Sequence, residues 1–436
     1  MSQSQTVVEV MAALCAVTQS LPIGTNLALL HLLWMLLSGQ LLRSRGALFP
    51  GLSAMGLSAA AVRRAWAAFR YGAWHIAVLL TLWQQYVIQQ PHWQALQYGG
   101  YTPKAVDITP FWRAALEGCA SKHYHPRAGK ALQAVEIGLI GRVGRVHGQR
   151  VTLLTDLVRG ELTSSSTASL STRLLKRVAA TLAADEMAVL DAGFKVKAVQ
   201  AAGISHFVLR GAKNFTARRN VLPPYKGRGR KPVYGKLVRP RSRKRKDHTI
   251  AATPPDRVET WQVDRRTLRA EHWYDLVTTD TKVDKDNPVF HVAVIHDPRF
   301  KEPWVLITPL KLPGMILWRL YQARWPIEQV PLVAKQTLGG ARQFVFAPES
   351  CQRLPELTLL ASTMITYLAA ILPATPTGFW DREPKPTAGR LRRVLARTPF
   401  PDTYPLPGRL REKESLTDHL PKGILGHRRH KKAKVT

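Results

Sequence analysis

Tyr321, Arg324, Glu328 and Lys335 set one carboxylate among a phenol and two cations, at offsets of three, seven and fourteen residues. On an α-helix each residue turns about 100°, so these offsets keep all four side chains within roughly 60° of one another. Such a face suits a phosphodiester: Arg grips phosphate oxygens in pairs, Lys acts as a point charge, and a carboxylate is a ligand for a hard cation. Ala323, Ile327, Val330 and Ala334 fall on the opposite side as an apolar stripe fit to pack on a sheet. Pro331 removes an amide from the same segment. A kink is expected there, and the position of Lys335 depends on it most.

The elements that must hold this face lie upstream. From about residue 104 short apolar runs rich in β-branched residues, separated by turn residues, predict strands of an α/β domain. A first strand, 104–110, is broken by Pro110 and closed by Asp107; further strands are expected at 132–140 and 151–157, a helix at 172–182, then strands at 187–191 and 205–209. Asp191 ends its strand, the place where open α/β sheets keep their ligands, and Gly193 permits the turn that follows. Asp156 and Glu136 also sit in strand-like runs and compete for the same role.

The signature resembles the Y-x2-R-x3-E-x6-K motif of cut-and-paste insertion-sequence transposases in the DDE superfamily, and Trp325-Pro326-Ile327 leads into Glu328 as theirs does. The resemblance implies an RNase H-like mixed sheet with flanking helices, interrupted by a β-rich insertion and preceded by a helical N-terminal domain. It implies Asp107, Asp191 and Glu328 as catalytic and metal-binding carboxylates, with Mg²⁺ as cofactor and Mn²⁺ as substitute. Two such ions about 4 Å apart activate a water or a 3′-hydroxyl and stabilise the leaving oxygen. Tyr321, Arg324 and Lys335 would then hold the DNA end. The expected activity is strand cleavage at transposon ends and strand transfer into target DNA, by a homodimer in a synaptic complex with double-stranded DNA. A related RNase H-like nuclease, an inactive domesticated recombinase and a non-enzymatic architectural DNA-binding protein are the alternatives.

Composition points to the same partner. Against 29 Asp plus Glu stand 63 Lys plus Arg, a formal charge of +34 that phosphate backbone neutralises. The densest run is Lys226, Arg228, Arg230, Lys231, Lys236, Arg239, Arg241, Arg243, Lys244, Arg245 and Lys246, with no acid interleaved. It opens an insertion too long for a loop, with strands expected near 258–263, 273–278, 289–295 and 304–308. In the resembling transposases a tryptophan there receives a flipped base, which makes Trp261, Trp273 and Trp304 candidates.

The expected division is a helical, DNA-end-binding domain at 1–98, a first part of the catalytic core at 99–210, the basic β-rich insertion at 211–310, the rest of the core at 311–375 and a basic segment at 376–436. In the first, a helix over 57–74 capped by Ser58 turns Val62, Trp66 and Phe69 inward and Arg63, Arg64 and Arg70 elsewhere, as in a helix-turn-helix recognition helix. Residues 354–372 read as a buried helix closed by Pro373, and residues 427–434 as a charge run without packing. Apolar runs short of about 20 residues exclude a membrane partner, and a cytoplasmic, nucleoid-associated protein is expected. Cys15, Cys119 and Cys351 are too scattered for a disulfide framework or a zinc site.

Overall fold

The computed structural model describes residues 3–113, 115–162, 169–245 and 248–411. Lys246 and the basic run at 427–434 lie outside the described residues.

The chain opens with helices α1 (Gln3–Thr18), α2 (Asn26–Leu37), α3 (Gln40–Arg43), α4 (Leu48–Ser53), α5 (Ala59–Tyr71) and α6 (Ile76–Ile88). Helix α2 is apolar on all sides and is accordingly buried on all sides. Helix α5 starts where Ser58 Oγ accepts the amide of Ala61 at 3.2 Å, and it buries Val62 and Phe69 while Trp66 is half-buried beside Phe49.

The strands follow: β1 (Trp93–Ala95), β2 (Thr102–Trp112), β3 (Lys122–His125), β4 (Lys130–Val146) and β5 (Gln149–Arg159). Then come α7 (Leu170–Thr181), β6 (Glu186–Leu190), α8 (Val196–Ala201) and β7 (Phe207–Arg210). Strands β4 and β5 form a hairpin whose two turn residues, His147 and Gly148, both have positive φ (44° and 81°), the turn that suits the twist of paired strands. Strand β2 lies antiparallel to β4 on one side and parallel to β6 on the other, and β6 is parallel to β7.

Pro110 does not break β2. Pairing with β6 covers only Thr102–Ala105, so Pro110 stands where β2 has a neighbour on the β4 side alone, and an open side tolerates a missing amide.

Residues 211–313 add β8 (Ala217–Arg219), β9 (Leu237–Val238), β10 (Arg243–Arg245), β11 (His248–Ile250), β12 (Arg257–Val263), β13 (Arg266–Val277), β14 (Phe290–His296) and β15 (Trp304–Thr308). The strands expected in the insertion are present. They continue the central sheet: β15 pairs β7 through Leu306–Arg210 and Ile307–Leu209, and β14, β13 and β8 follow outward. The fold is mixed α/β, with one mixed sheet and helices flanking it.

Helices α9 (Gly314–Gln322) and α10 (Trp325–Leu332), a π-helical turn (Val333–Thr337), α11 (Pro348–Ile371) and α12 (Ala388–Leu395) complete the order. Helix α11 is long and apolar enough to cross a membrane, but 89% of that window is buried inside the protein, where it serves as the central core helix. One continuous hydrophobic cluster joins α1–α6, one face of β4 and β5, and α10–α12. The compositional shift near residue 98 therefore marks a change from helices to strands, and the core runs across it.

Candidate active site

Two carboxylates come from parallel strands. The register sets Ala105 of β2 beside Val189 of β6, the last pair between them. Asp107 lies two residues further along β2, which continues to Trp112, and Asp191 directly follows β6, close enough to repel Asp107. Asp191 Oδ1 accepts the amide of Gly193 at 2.9 Å, which fixes its turn. Asp107 keeps a partial opening to solvent but is crowded by protein atoms. That desolvation, above all, raises its pKa from 3.8 to about 6; Asp191 and Glu328 add repulsion, against the pull of Arg324 and the amide of Ile108.

The signature segment is not one helix. It breaks at Ala323–Arg324, ahead of Trp325-Pro326, so that Tyr321 ends α9, Arg324 precedes α10 and Glu328 lies in its first turn. The helix then runs through Pro331 and relaxes into the π-helical turn that carries Lys335. A wider turn accommodates an amide lost to proline, and π turns recur at functional sites. The expected single helix is corrected on this point: a break falls before Glu328, and the departure expected at Pro331 takes the form of the π-helical turn that begins two residues later.

Arg324 sits at the centre. It is 6% exposed, donates through Nη2 to Glu328 Oε1, and leaves its buried Nε–H without an acceptor. Burial opposes its charge, but Tyr321, Glu328, Asp107 and Asp191 outweigh burial and hold the guanidinium more firmly protonated than usual. Glu328 is the open member, with its side chain 49% exposed.

Lys335 and Tyr321 do not project into solvent. Lys335 Nζ donates to Thr109 Oγ1 at 2.7 Å and lies over the rings of Phe111 and Trp112; burial lowers its pKa to about 8, partly opposed by Asp107. Tyr321 is 1% exposed, with its ring 5.2 Å from Trp304 and guanidinium groups of Arg210 and Arg324 over its faces. Lys335 lies near Asp107, and Tyr321 lies against Arg324. Neither is at the surface, because α9 packs on the sheet extension and the π turn packs on α11 and α12 with the Lys335 side chain laid against Thr109, Phe111 and Trp112 of β2.

Asp156 and Glu136 are engaged elsewhere, Asp156 with Arg177 and the amide of Leu157, and Glu136 with His123 at 2.7 Å. Trp273 and Trp304 are core residues, correcting their expected role: Trp273 Nε1 donates to the carbonyls of Thr253 and Pro254, and Trp304 is wedged among Phe300, Tyr321 and Trp325. Trp261 is half-buried. Trp325, in the Trp-Pro step ahead of Glu328, is 37% exposed next to Arg324.

In the basic run, Lys226, Arg228, Arg230, Lys231 and Lys244 are exposed. Arg243 is half-buried in β10, which ends at Arg245. Arg241 is turned inward to Glu302 at 2.7 Å.

Asp107, Asp191 and Glu328 offer oxygen donors alone, with no His or Cys, as a hard divalent cation prefers. Among the described residues no three His, Cys, Asp or Glu side chains stand at metal-ligating spacing. Arg324 bonds Glu328 and is attracted by Asp107 and Asp191, so all three carboxylates act on this one cation.

Compared with known proteins, the chain matches no defined protein family and no curated protein.

Proposed function

We propose that this chain is a DNA transposase of the DDE type, built on an RNase H-like core, that cleaves DNA at element ends and joins them to a target. One observation carries the reading: carboxylates from three separate stretches, Asp107, Asp191 and Glu328, share one electrostatic site around Arg324. The succession β2, β4, β5, α7, β6, α8, β7 supports it, matching the three strands, helix, strand, helix, strand expected of such a core once the short extra strand β3, which pairs β4, is set aside. The charge of +34 supports a DNA substrate.

In this reading Asp107, Asp191 and Glu328 hold Mg²⁺, which when bound activates the attacking oxygen and stabilises the leaving one. Asp107, within β2, and Asp191, directly after β6, supply fixed ligands. Glu328, the open member, would supply its exposed carboxylate to the metal, and Arg324, whose buried Nε–H has no acceptor, would donate to a phosphate oxygen. Water then displaces the 3′-oxygen at the element end, and the freed 3′-hydroxyl attacks a target phosphodiester. Two ends joined to one target call for a homodimer.

The test is incubation of purified protein with Mg²⁺ and the DNA that flanks its own reading frame. Cuts at inverted ends, abolished in Glu328→Gln with DNA binding intact and a loss of roughly a thousandfold or more, are expected. Sequence-independent retention without cuts would assign an architectural DNA-binding protein instead.

A further inference from the structure

Phe344 and Phe346 are 67% and 66% exposed, on a segment whose alternate residues, Gln343 and Val345, are buried. Their backbone is anchored at several points. The amide of Phe344 donates to Gly46 O at 3.0 Å, Arg113 donates to Val345 O at 2.8 Å and to Gln343 Oε1 at 3.2 Å, and Gln343 Nε2 donates to Gly340 O at 3.1 Å. Single exposed apolar side chains need no explanation. Two rings held out on a fixed backbone, with centroids 6.2 Å apart and nearly perpendicular, form a shaped surface.

The surroundings specify what covers it. The Arg113 guanidinium lies 5.6 Å from the Phe346 centroid, and exposed Arg342 and Arg45 adjoin Phe344 and its partner Gly46 in sequence. The nearest acid along the chain, Glu349, is already bound to Arg159 and Arg353. Aromatic faces interleaved with arginines match the stacked bases and phosphates of an unpaired nucleic-acid strand.

We propose that Phe344 and Phe346 are a stacking platform for unpaired bases of the DNA substrate, with Arg45, Arg113 and Arg342 on the adjoining phosphates. The inference rests on the DNA-acting reading above and adds a second contact point to it. Strand β2 runs from Asp107 to Trp112, and Arg113 follows directly. Six residues at about 3.3 Å each put the platform roughly 20 Å from the carboxylates. At about 3.4 Å per nucleotide that is about six nucleotides from the reacting phosphate.

The full chain, held in EDTA so that no cleavage occurs, is titrated with a labelled blunt duplex and with the same duplex bearing a ten-nucleotide single-stranded overhang. Replacing both rings (Phe344→Ala with Phe346→Ala) should weaken overhang binding about tenfold per ring and leave the blunt duplex within about twofold. Phe346→Trp should retain binding, and quenching of 2-aminopurine in the overhang should vanish with the rings. Equal losses on both DNAs, or unchanged affinity for both, would overturn the platform. Unchanged affinity with an altered sedimentation coefficient would assign the rings to contact with a second copy instead. Nicking by Glu328→Gln separates the two readings: nicking that persists sinks the transposase, whereas an intact overhang affinity in the double variant sinks the platform alone.

Discussion

Two groups of cations read alike in the sequence and differ in the structure. Arg324 and Lys335 are buried among or beside carboxylates and aromatic rings, whereas Lys226, Arg228, Arg230 and Lys231 stand in solvent. Burial decides what a positive charge does. In the first group the surrounding protein strengthens each interaction and makes an unmatched charge costly; in the second, salt screens every charge and only a polyanion gathers them. The buried cations therefore belong to the stability and electrostatics of the carboxylate site, and the exposed ones to encounter with a partner.

The largest effect that would break this contrast is on Arg324. Arg324→Met leaves three carboxylates without their shared cation and should cost about 3 to 5 kcal/mol in urea unfolding at pH 8. The loss should shrink toward pH 4 as the carboxylates take up protons. A loss that ignores pH would mean that the guanidinium does not serve them.

Asp107→Asn should act with the opposite sign. An acid whose pKa rises from 3.8 to about 6 on folding contributes stability that is fully present below about pH 4 and lost as pH rises through 6. The charged carboxylate therefore costs up to about 3 kcal/mol above that range. The asparagine variant should melt higher than the parent at pH 8 and equal it at pH 4. Parallel melting curves across that window would remove the case for a crowded Asp107.

The smallest expected change sharpens the other side. Replacing Arg228, Arg230 and Lys231 together by Gln should leave folding stability within about 0.5 kcal/mol per site. The dependence of DNA affinity on salt should flatten by about 0.9 in log–log slope for each charge that meets a phosphate. An unchanged slope would leave the run without a role in binding.

Much of this architecture was legible beforehand. Strand and helix order between residues 102 and 210, the Ser58 cap and the long core helix all follow from local periodicity and capping chemistry, which act within a few residues. Asp107, Asp191 and Glu328 were singled out from strand-like runs and a spaced helical face, which are also local signals. What escaped was non-local. Pro110 looked like a breaker because its tolerance depends on how far β6 extends beside β2. Tyr321 looked exposed because a helical wheel assumes one apolar neighbour, and α9 has a second in the sheet extension. The strands of the insertion were expected, but nothing in an alternating pattern names the edge it joins.

That join is a crease. Strands β15 and β7 pair through Leu306–Arg210 and Ile307–Leu209, and the amide of Gly211 donates to Val305 O at 2.8 Å just beyond them. Helix α9 lies across the crease like a splint, touching β6 and β7 on one side and β13 and β14 on the other. Its far end is the break from which Arg324 departs. A load pulling on the arginine-rich wing would bend the sheet along this line, and the splint would convert that bend into a tug on the one guanidinium that stands between the acids.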